Sequence, residues 1–172
     1  MRASISFRPL ARCDFPLIQE WLAAPHVAVW WNEQYDLASV EAKYGPRIDG
    51  AEPTHVFVIE QECRPIGWIQ WYLWAHYPEH ARQLGAEPAS AGIDLAIGEL
   101  KMTGLGLGPV VIHEFLNQFV FTNSSILAVV ADPEERNLRS LHAFRKAGFN
   151  VVNTVQLASE GFRRQVVRLL RP

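Results

Sequence analysis

The fold of this chain can be read outward from Thr103-Gly104-Leu105-Gly106-Leu107-Gly108, which is followed by Pro109 and by an apolar run over residues 110–120. Glycines at three alternate positions allow a loop to bring its backbone N–H groups close to an anion. A helix directly after the loop points the positive end of its dipole at the same place. Pro109 suits the first position of that helix, because its missing N–H costs no hydrogen bond there. The stretch predicts a pyrophosphate site, although a plain capped loop can carry the same glycines.

The segments around this loop alternate between strands and helices. Residues 92–97 are typical of a buried strand, and residues 126–131 predict another. Residues 134–147 then predict a helix that ends at Gly148. Because two strands joined through a helix pair in parallel with a right-handed connection, residues 92–131 predict a parallel crossover unit.

The remaining segments complete a mixed sheet. Further strands are predicted at residues 4–8, 56–59, 66–74, 151–157 and 165–170, and helices after the capping residues Asp14 and Asp36. Residues 75–91 predict a long irregular loop, and loops of that length are commonly functional. The fold class is therefore α/β (α+β): a mixed, mostly antiparallel central sheet with helices on both faces, in a single domain over residues 1–172.

Composition limits the class of protein. At 172 residues and 49% apolar, the chain can bury one core and is too short for two comfortable domains. Its 16 Lys and Arg stand against 18 Asp and Glu without a basic run, so we expect no nucleic acid partner. Cys13 and Cys63 stand alone and the six histidines show no ligand spacing, so we expect neither a disulfide nor a metal. Without a signal peptide or an apolar run of about 20 residues, we expect a cytoplasmic protein and no membrane partner.

The order of strand, Gly-x-Gly-x-Gly turn, helix and strand, followed by Asn137-Leu-Arg-Ser-Leu-His-Ala-Phe-Arg-Lys-Ala-Gly148-Phe149, resembles the GNAT family of N-acetyltransferases. The resemblance covers most of the chain. It is strongest to aminoglycoside 6'-N-acetyltransferases, in Glu20-Trp21-Leu22, His26 to Trp31, Pro65-Ile-Gly67 with Gln70 and Tyr72, Gly92-Ile-Asp94 and Asp132-Pro133. It implies a GNAT fold, in which the central sheet splays at its parallel strand pair, and acetyl-CoA as co-substrate.

The resemblance also implies a set of cofactor contacts. The pantetheine arm would pair with strand amides of Leu95, Ala96 and Ile97. The loop residues Thr103, Gly104, Leu105, Gly106, Leu107 and Gly108 would bind the pyrophosphate. Asn137 would hydrogen-bond the cofactor arm, and an ordinary asparagine at a helix start is an equally good interpretation.

Asp94 is the side chain that we expect to be catalytic. Acetyl transfer needs a neutral amine, donors for an oxyanion and an outlet for the thiolate. A carboxylate near the splayed strand can hold the substrate ammonium close to the thioester and then take its proton, directly or through a water. A charged carboxylate raises the pKa of a neighbouring amine and so resists the loss of the amine's proton. Partial desolvation of Asp94, which would raise the pKa of Asp94 itself, would ease this conflict. An aspartate that only ends a strand is the alternative interpretation.

Two positions depart from the family pattern. Phe144 stands where the family often has a tyrosine that protonates the leaving thiolate, which excludes a tyrosine acid at that position. A thiol with a pKa near the cysteine value of about 8.5 can leave with help from water or amides. Thr103 stands where the family loop usually opens with Arg or Gln, so backbone amides would carry most of the phosphate contact.

The predicted substrate contacts combine aromatic, amide and acidic side chains. They are Trp30, Trp31, Gln70, Tyr72, Asp94 and Asp132, with Glu52, Glu79 and Glu87 as weaker acidic candidates. Aromatic rings pack against sugars and attract cations, while carboxylates attract ammonium groups. For any single tryptophan a place in the core is the favoured alternative, and Asp132-Pro133 is also a common turn pair.

We therefore expect an acetyl-CoA-dependent aminoglycoside 6'-N-acetyltransferase that confers antibiotic resistance, as a monomer or homodimer. Neither cysteine lies in a motif that activates a thiolate, which favours direct transfer in a ternary complex over an acyl-enzyme. Two alternatives stay open. One is an acyltransferase of the same fold acting on a siderophore-type amine or hydroxylamine, and the other is a non-catalytic protein that binds CoA or a cationic ligand.

Overall fold

A computed structural model describes residues 4–172. The strands are β1 (Ile5–Pro9), β2 (Thr54–Gln61), β3 (Arg64–Leu73), β4 (Ser90–Ile97), β5 (Ala128–Ala131), β6 (Asn150–Gln156) and β7 (Arg163–Leu170). The α-helices are α1 (Phe15–Ala23), α2 (Pro25–Trp31), α3 (Leu37–Ile48), α4 (Pro78–Leu84), α5 (Leu107–Phe115) and α6 (Leu138–Lys146). Short 3-10 turns lie at Arg12–Asp14, Trp74–His76 and Leu100–Met102, and α5 continues as a π-helical turn over Leu116–Val120. Within residues 4–172, no helix is both long and apolar enough to cross a membrane.

The strands form one sheet in the order β1-β2-β3-β4-β5-β7-β6. β4 and β5 are parallel, whereas β1-β2, β5-β7 and β6-β7 are antiparallel, so the predicted mixed sheet is confirmed. The register of the parallel pair runs from Ser90 opposite Ala128 to Gly92 opposite Val130. β4 continues to Ile97, so its second half extends beyond the last of these pairs. This early end of the pairing fits the expected splay.

One compact unit comprises the described residues up to Gln70 together with Asp94–Leu105. Its core is rich in large aromatic side chains. The rings of Trp21 and Trp68 stack with centroids 5.9 Å apart and planes 7° from parallel. Tyr44 from α3 is fully buried in the same cluster. Trp68 and Tyr44 therefore hold β3 and α3 together through packing, as apolar burial favours.

The second unit comprises Trp71–Ile93 and Gly106–Pro172. Trp74, Leu84, Val130 and Val166 are buried together in its core, and the indole N–H of Trp74 donates to the Val130 carbonyl oxygen at 3.2 Å. Because a buried indole needs a partner for its N–H, this hydrogen bond fixes the ring beside β5.

The helix-start predictions had mixed outcomes. Asp36 caps α3, since its side chain accepts from the backbone N–H of Ser39 at 3.0 Å, and the prediction is confirmed. Asp14 precedes α1 as predicted but makes no cap, because its carboxylate binds Arg8 and the backbone N–H of Ala11. Pro109 is the third residue of α5 rather than the first. A proline is tolerated there, because none of the first four N–H groups of a helix has an intrahelical partner.

The irregular loop predicted over residues 75–91 is wrong, because this segment contains α4 and the start of β4. Pro78 is the first residue of α4, and Gly85 ends the helix in a left-handed conformation with φ of +71°. Proline at the start and glycine just past the end are helix signals as well as turn signals. The shorter β5 also corrects the strand predicted over residues 126–131.

The helix predicted over residues 134–147 begins four residues later, at Leu138, while its end is close to the prediction. Glu134 and Glu135 pair instead with β7, where the Glu135 N–H donates to the Arg163 carbonyl oxygen at 2.9 Å. Gly148 has φ of +96°, which confirms the left-handed position after the helix.

Candidate active site

Asp94 lies in β4 and accepts a hydrogen bond from a side chain of the neighbouring strand. Gln70 Nε2 of β3 donates to Asp94 Oδ2 at 2.9 Å. Gln70 is buried, with 6% of its surface exposed, whereas Asp94 is half-buried. A hydrogen bond of this kind to a carboxylate stabilises its charged form.

The same amide is bound from its other side by Arg47 of α3. Arg47 Nη1 donates to Gln70 Oε1 at 2.8 Å, and Arg47 Nε donates to Glu52 Oε2 at 2.8 Å. The guanidinium carbon also lies 5.5 Å from the centre of the Tyr44 ring. No local sequence pattern distinguishes Arg47, which is a single arginine near a helix end. Glu52, a weaker acidic candidate, is paired with that arginine.

Two buried polar atoms lie in the same unit as Asp94. The Tyr44 hydroxyl and the Trp68 indole nitrogen have no hydrogen-bond partner of good geometry within the described residues. Burial raises the pKa of Tyr44, and the negative charges of Glu33 and Asp94 raise it further, while Arg47 opposes them. Tyr44 therefore keeps its phenolic proton and can only act as a neutral donor or acceptor.

The predicted cofactor residues of β4 lie directly after Asp94 and are half-buried. A Cβ atom on Gly67 of β3 would lie 2.1 Å from the Ala96 carbonyl oxygen, so the two backbones are in close contact. The Ile97 carbonyl oxygen lies 3.1 Å from His26 Nε2. Leu95, Ala96 and Ile97 follow the part of β4 that is paired with β5. Their contact with a pantetheine arm stays a prediction.

The loop over residues 103–108 has the backbone that its glycines predict. Gly104 and Gly106 have φ of +75° and +77°, a conformation that other residues rarely adopt. Thr103 Oγ1 donates to the Leu100 carbonyl oxygen at 2.8 Å, and Leu105 is 64% exposed. α5 begins at Leu107 and has no side-chain cap at its start. Its first N–H groups can therefore bind an external anion.

Gly108 has a different role from the other loop glycines. A Cβ atom on it would lie 3.0 Å from the Ala143 Cβ atom of α6, so its small size allows α5 and α6 to pack closely. Asn137 caps α6, because its Oδ1 accepts from the Ser140 N–H at 3.1 Å. The capping interpretation is thus confirmed, and the contact with the cofactor stays a prediction. Phe144 is buried edge-to-face against Phe149, with ring centres 5.0 Å apart.

Asp132 is buried in the second unit and lies among basic side chains. His80 Nε2 lies 3.1 Å from its Oδ2, and Arg164 Nη1 donates to its backbone carbonyl oxygen at 2.9 Å. The same Arg164 atom lies 3.6 Å from Asp132 Oδ2, and Arg164 also binds Glu160 through two nitrogens. These contacts offset the free-energy cost of burying the charged carboxylate. A role in binding substrate remains a prediction.

The predicted aromatic contacts differ in exposure. Trp30 of α2 is 38% exposed, whereas Trp31 is partly buried with its ring centre 4.8 Å from that of Trp68. Lys43 Nζ lies 6.0 Å from the Trp31 ring centre and forms an ion pair with Glu33. Trp31 thus packs against the core, as the alternative interpretation held.

Tyr72 packs within the second unit, where its ring lies edge-to-face to Trp74 and Tyr77 with centres 5.1 Å apart in each case. A Cβ atom on Gly92 would lie 2.3 Å from the Tyr72 ring, so the ring covers the backbone of β4. Over residues 4–172, no three His, Cys, Asp or Glu side chains are arranged to hold a metal ion. Cys13 and Cys63 are exposed and form no disulfide.

The chain is similar in sequence and in fold to known proteins. Residues 11–157 match a family described as Acetyltransferase (GNAT) domain. The chain is 26% identical over 155 residues to aminoglycoside N(6')-acetyltransferase type 1 of Klebsiella pneumoniae, which covers 88% of this chain and 77% of that protein. It is 24% identical over 135 residues to the lysine N-acyltransferase MbtK of Mycolicibacterium paratuberculosis, covering 78% and 60%. The crystal structure of AAC(6')-Ib with coenzyme A and kanamycin superposes with a TM-score of 0.81 at 24% identity, covering 98% and 95%.

Proposed function

Because the chain belongs to the GNAT acetyltransferase family, we propose that it transfers the acetyl group of acetyl-CoA to the 6'-amino group of an aminoglycoside. The observation that carries the proposal is Asp94, a half-buried carboxylate on β4 that Gln70 holds in place. Similarity to aminoglycoside N(6')-acetyltransferase type 1 over 88% of the chain supports the choice of acceptor.

The residues present fit acetyl-CoA. The left-handed glycines of the loop and the uncapped start of α5 supply backbone N–H groups for a pyrophosphate. Leu95, Ala96 and Ile97 supply strand groups to the pantetheine arm. When bound, acetyl-CoA supplies a thioester carbonyl, and the same strand can donate N–H groups to the oxygen on which negative charge develops.

Asp94 binds the acceptor as an ammonium ion and removes a proton from it, directly or through a water. The neutral nitrogen then forms a bond to the acetyl carbon while the carbon–sulfur bond breaks. The electron pair of that bond leaves with sulfur. The second proton, which the nitrogen loses as the amide forms, passes through water to the sulfur, because Phe144 has none to give. Asp94 returns its proton to solvent and is ready for the next acceptor.

Direct transfer fits the positions of the two cysteines. Cys13 lies in an exposed 3-10 turn and Cys63 in the exposed turn between β2 and β3. A thiol that accepts an acyl group is commonly activated by a base, and the described hydrogen bonds give neither cysteine a carboxylate or histidine partner. The amine and acetyl-CoA therefore meet in one complex.

The test is release of free CoA thiol in the presence of acetyl-CoA and kanamycin or tobramycin, with mass spectrometry of the drug. We expect CoA release that depends on the drug, and a product acetylated at the 6'-amine. A drug that lacks the 6'-amine is the matched control and should release no CoA. Binding of CoA without release for any amine would contradict the proposal and leave a binding protein. Expression in a susceptible bacterium then tests resistance.

A second acceptor, an amine of lysine, is supported by similarity to the lysine N-acyltransferase MbtK. Lys43 and Arg47 lie near Tyr44, at 5.6 and 5.5 Å from its ring, and each is paired with a carboxylate, of Glu33 and Glu52 respectively. These paired charges do not decide between the two acceptors. Lysine and its hydroxylamine derivative belong in the same assay, with both acetyl-CoA and long acyl donors.

A further inference from the structure

Three side chains from different parts of the sequence are joined in one line of hydrogen bonds. Arg47 of α3 binds Gln70 of β3 at 2.8 Å, and Gln70 binds Asp94 of β4 at 2.9 Å. All three lie in one compact unit. The line includes the residue to which the proposed function assigns the acceptor proton.

The direction of these hydrogen bonds follows from the chemistry of the guanidinium group. An arginine side chain has five N–H donors and no acceptor, so the atom of Gln70 that faces Arg47 must be the amide oxygen. The amide nitrogen then faces Asp94 and can only donate to it. Without Arg47, the planar amide could turn over and place its oxygen against the Asp94 carboxylate, which would repel it.

Arg47 is itself held on two sides. Its Nε donates to Glu52 at 2.8 Å, and its charged carbon lies over the Tyr44 ring at 5.5 Å. Only 14% of the arginine side chain is exposed. A fixed, planar fork loses less freedom for each hydrogen bond than a flexible amine does, which suits a residue that orients another.

We propose that Arg47 is a positioning residue for acetyl transfer: it fixes the amide of Gln70 so that Gln70 donates to Asp94. This inference rests on the proposed function for its role in the reaction, and on the geometry alone for its effect on Asp94. It orients Asp94 and keeps it ionised for binding the acceptor ammonium, an effect opposite in sign to the desolvation that strengthens a carboxylate as a base.

The effect on proton binding has a definite sign. Donation from Gln70 favours the charged form of Asp94, so loss of the donation raises the pKa of Asp94. The charged or titratable groups around this site include Arg47, Tyr44 and Lys43 on α3, Glu33 before that helix and Glu52 after it. Tyr44 keeps its proton at neutral pH, so it does not titrate together with Asp94.

The experiment measures the pKa of Asp94 by carbon-13 NMR of its carboxyl group in the enzyme without substrates, with Asp94→Asn to assign the signal. We expect Arg47→Met and Gln70→Leu each to raise that pKa by about one unit. In the Gln70→Leu background, Arg47→Met should add less than half of the shift that it causes alone. Arg12→Met removes an exposed arginine that pairs with Glu41 and Asp49, and should leave the signal unchanged.

Additive shifts in the double variant would overturn the proposal, because Arg47 would then act through its charge alone. An unchanged Asp94 pKa in Arg47→Met would overturn it as well. If Arg47→Met does not fold, Arg47→Gln replaces it in the same double-variant test, because it also removes the charge and the donor-only fork. The acid side of the pH profile of kcat/KM should move upward with the NMR value. If the variants shift the Asp94 pKa but the wild-type protein acetylates no amine, the proposed function is contradicted while the Arg47–Gln70–Asp94 arrangement is supported.

Discussion

Gly67 and Ala96 are in backbone contact, since a Cβ atom on Gly67 would lie 2.1 Å from the Ala96 carbonyl oxygen. The glycine is therefore required by the approach of β4 to β3 and not by an unusual backbone conformation. The contact falls on the half of β4 that extends beyond its pairing with β5. The placement of Asp94 and of the three residues after it thus depends on the absence of one methyl group.

We expect Gly67→Ala to lower the free energy of unfolding by about 1–3 kcal/mol, as overpacking does. Because β4 must move to admit the methyl group, we also expect weaker binding of CoA. Urea denaturation and calorimetric titration measure the two effects. Gly161→Ala is the control, because nothing lies within 4 Å of a Cβ atom at that position. Wild-type CoA affinity in Gly67→Ala would show that β4 does not contact the cofactor.

Asp94→Asn should lower kcat/KM for the acceptor by roughly a hundredfold to ten-thousandfold, the usual range for loss of a general base. The asparagine keeps the shape of the side chain and can still meet Gln70, so CoA binding should be unchanged. Steady-state CoA release and calorimetry separate these effects. Asp49→Asn removes an exposed carboxylate paired with Arg12 and should leave turnover intact. A fully active Asp94→Asn enzyme would remove Asp94 from the mechanism.

Gly104→Ala and Gly106→Ala should each cost about 1–2 kcal/mol of stability, because both glycines have left-handed backbones with space around them. If the loop binds a pyrophosphate, each change should also weaken CoA binding about tenfold or more, which corresponds to about 1.4 kcal/mol. Gly85→Ala imposes the same backbone strain after α4, at φ of +71°, and serves as the matched control. Equal losses of CoA affinity in all three variants would argue against a phosphate-binding role of the loop.

The pair of Arg8 and Asp14 predicts a pH dependence of stability. The hydrogen bonds from Arg8 lower the pKa of Asp14, against an opposing effect of burial. A carboxyl group whose pKa is lower in the folded than in the unfolded protein stabilises the fold at pH values above its unfolded pKa of about 3.9. This stability is lost as the pH falls through the folded pKa. The difference in unfolding free energy between wild type and Asp14→Asn should therefore be full at neutral pH and shrink in acid.

Urea denaturation at neutral pH and at about pH 3 measures that difference. Glu20→Gln changes an exposed carboxylate on α1 for which no ion pair is described, and should show no comparable trend. A difference for Asp14→Asn that is the same at both pH values would mean that the ion pair adds nothing to stability.

The sequence predicted those elements whose signals are local. The glycines of the loop, Gly148 after α6 and Asp36 before α3 each specify their own backbone or cap, so these features agree with the structure. The predicted start of α6 is four residues too early, because acidic residues are typical of a first helical turn. Glu134 and Glu135 instead pair with β7, and that tertiary contact could not be read from neighbouring residues.

In the candidate site, too, the residues with local sequence signals could be predicted, whereas their tertiary contacts could not. Asp94 and Gln70 could be named because they lie in motifs, yet their hydrogen bond joins residues 24 positions apart. Arg47 reaches Gln70 across a helix and a strand, and its side chain belongs to no sequence pattern. The sequence does not predict α4 for another reason: proline and glycine, here Pro78 and Gly85, are common in loops as well as at helix ends.

Phe144 has a consequence on the alkaline side of the rate profile. A tyrosine at this place in α6 would lose its phenolic proton near pH 10, and turnover would decline with it. The buried phenyl ring of this protein has nothing to ionise, so high pH brings no such inactivation from α6. Alkaline conditions should instead assist the departure of sulfur, by making free thiolate a stable product.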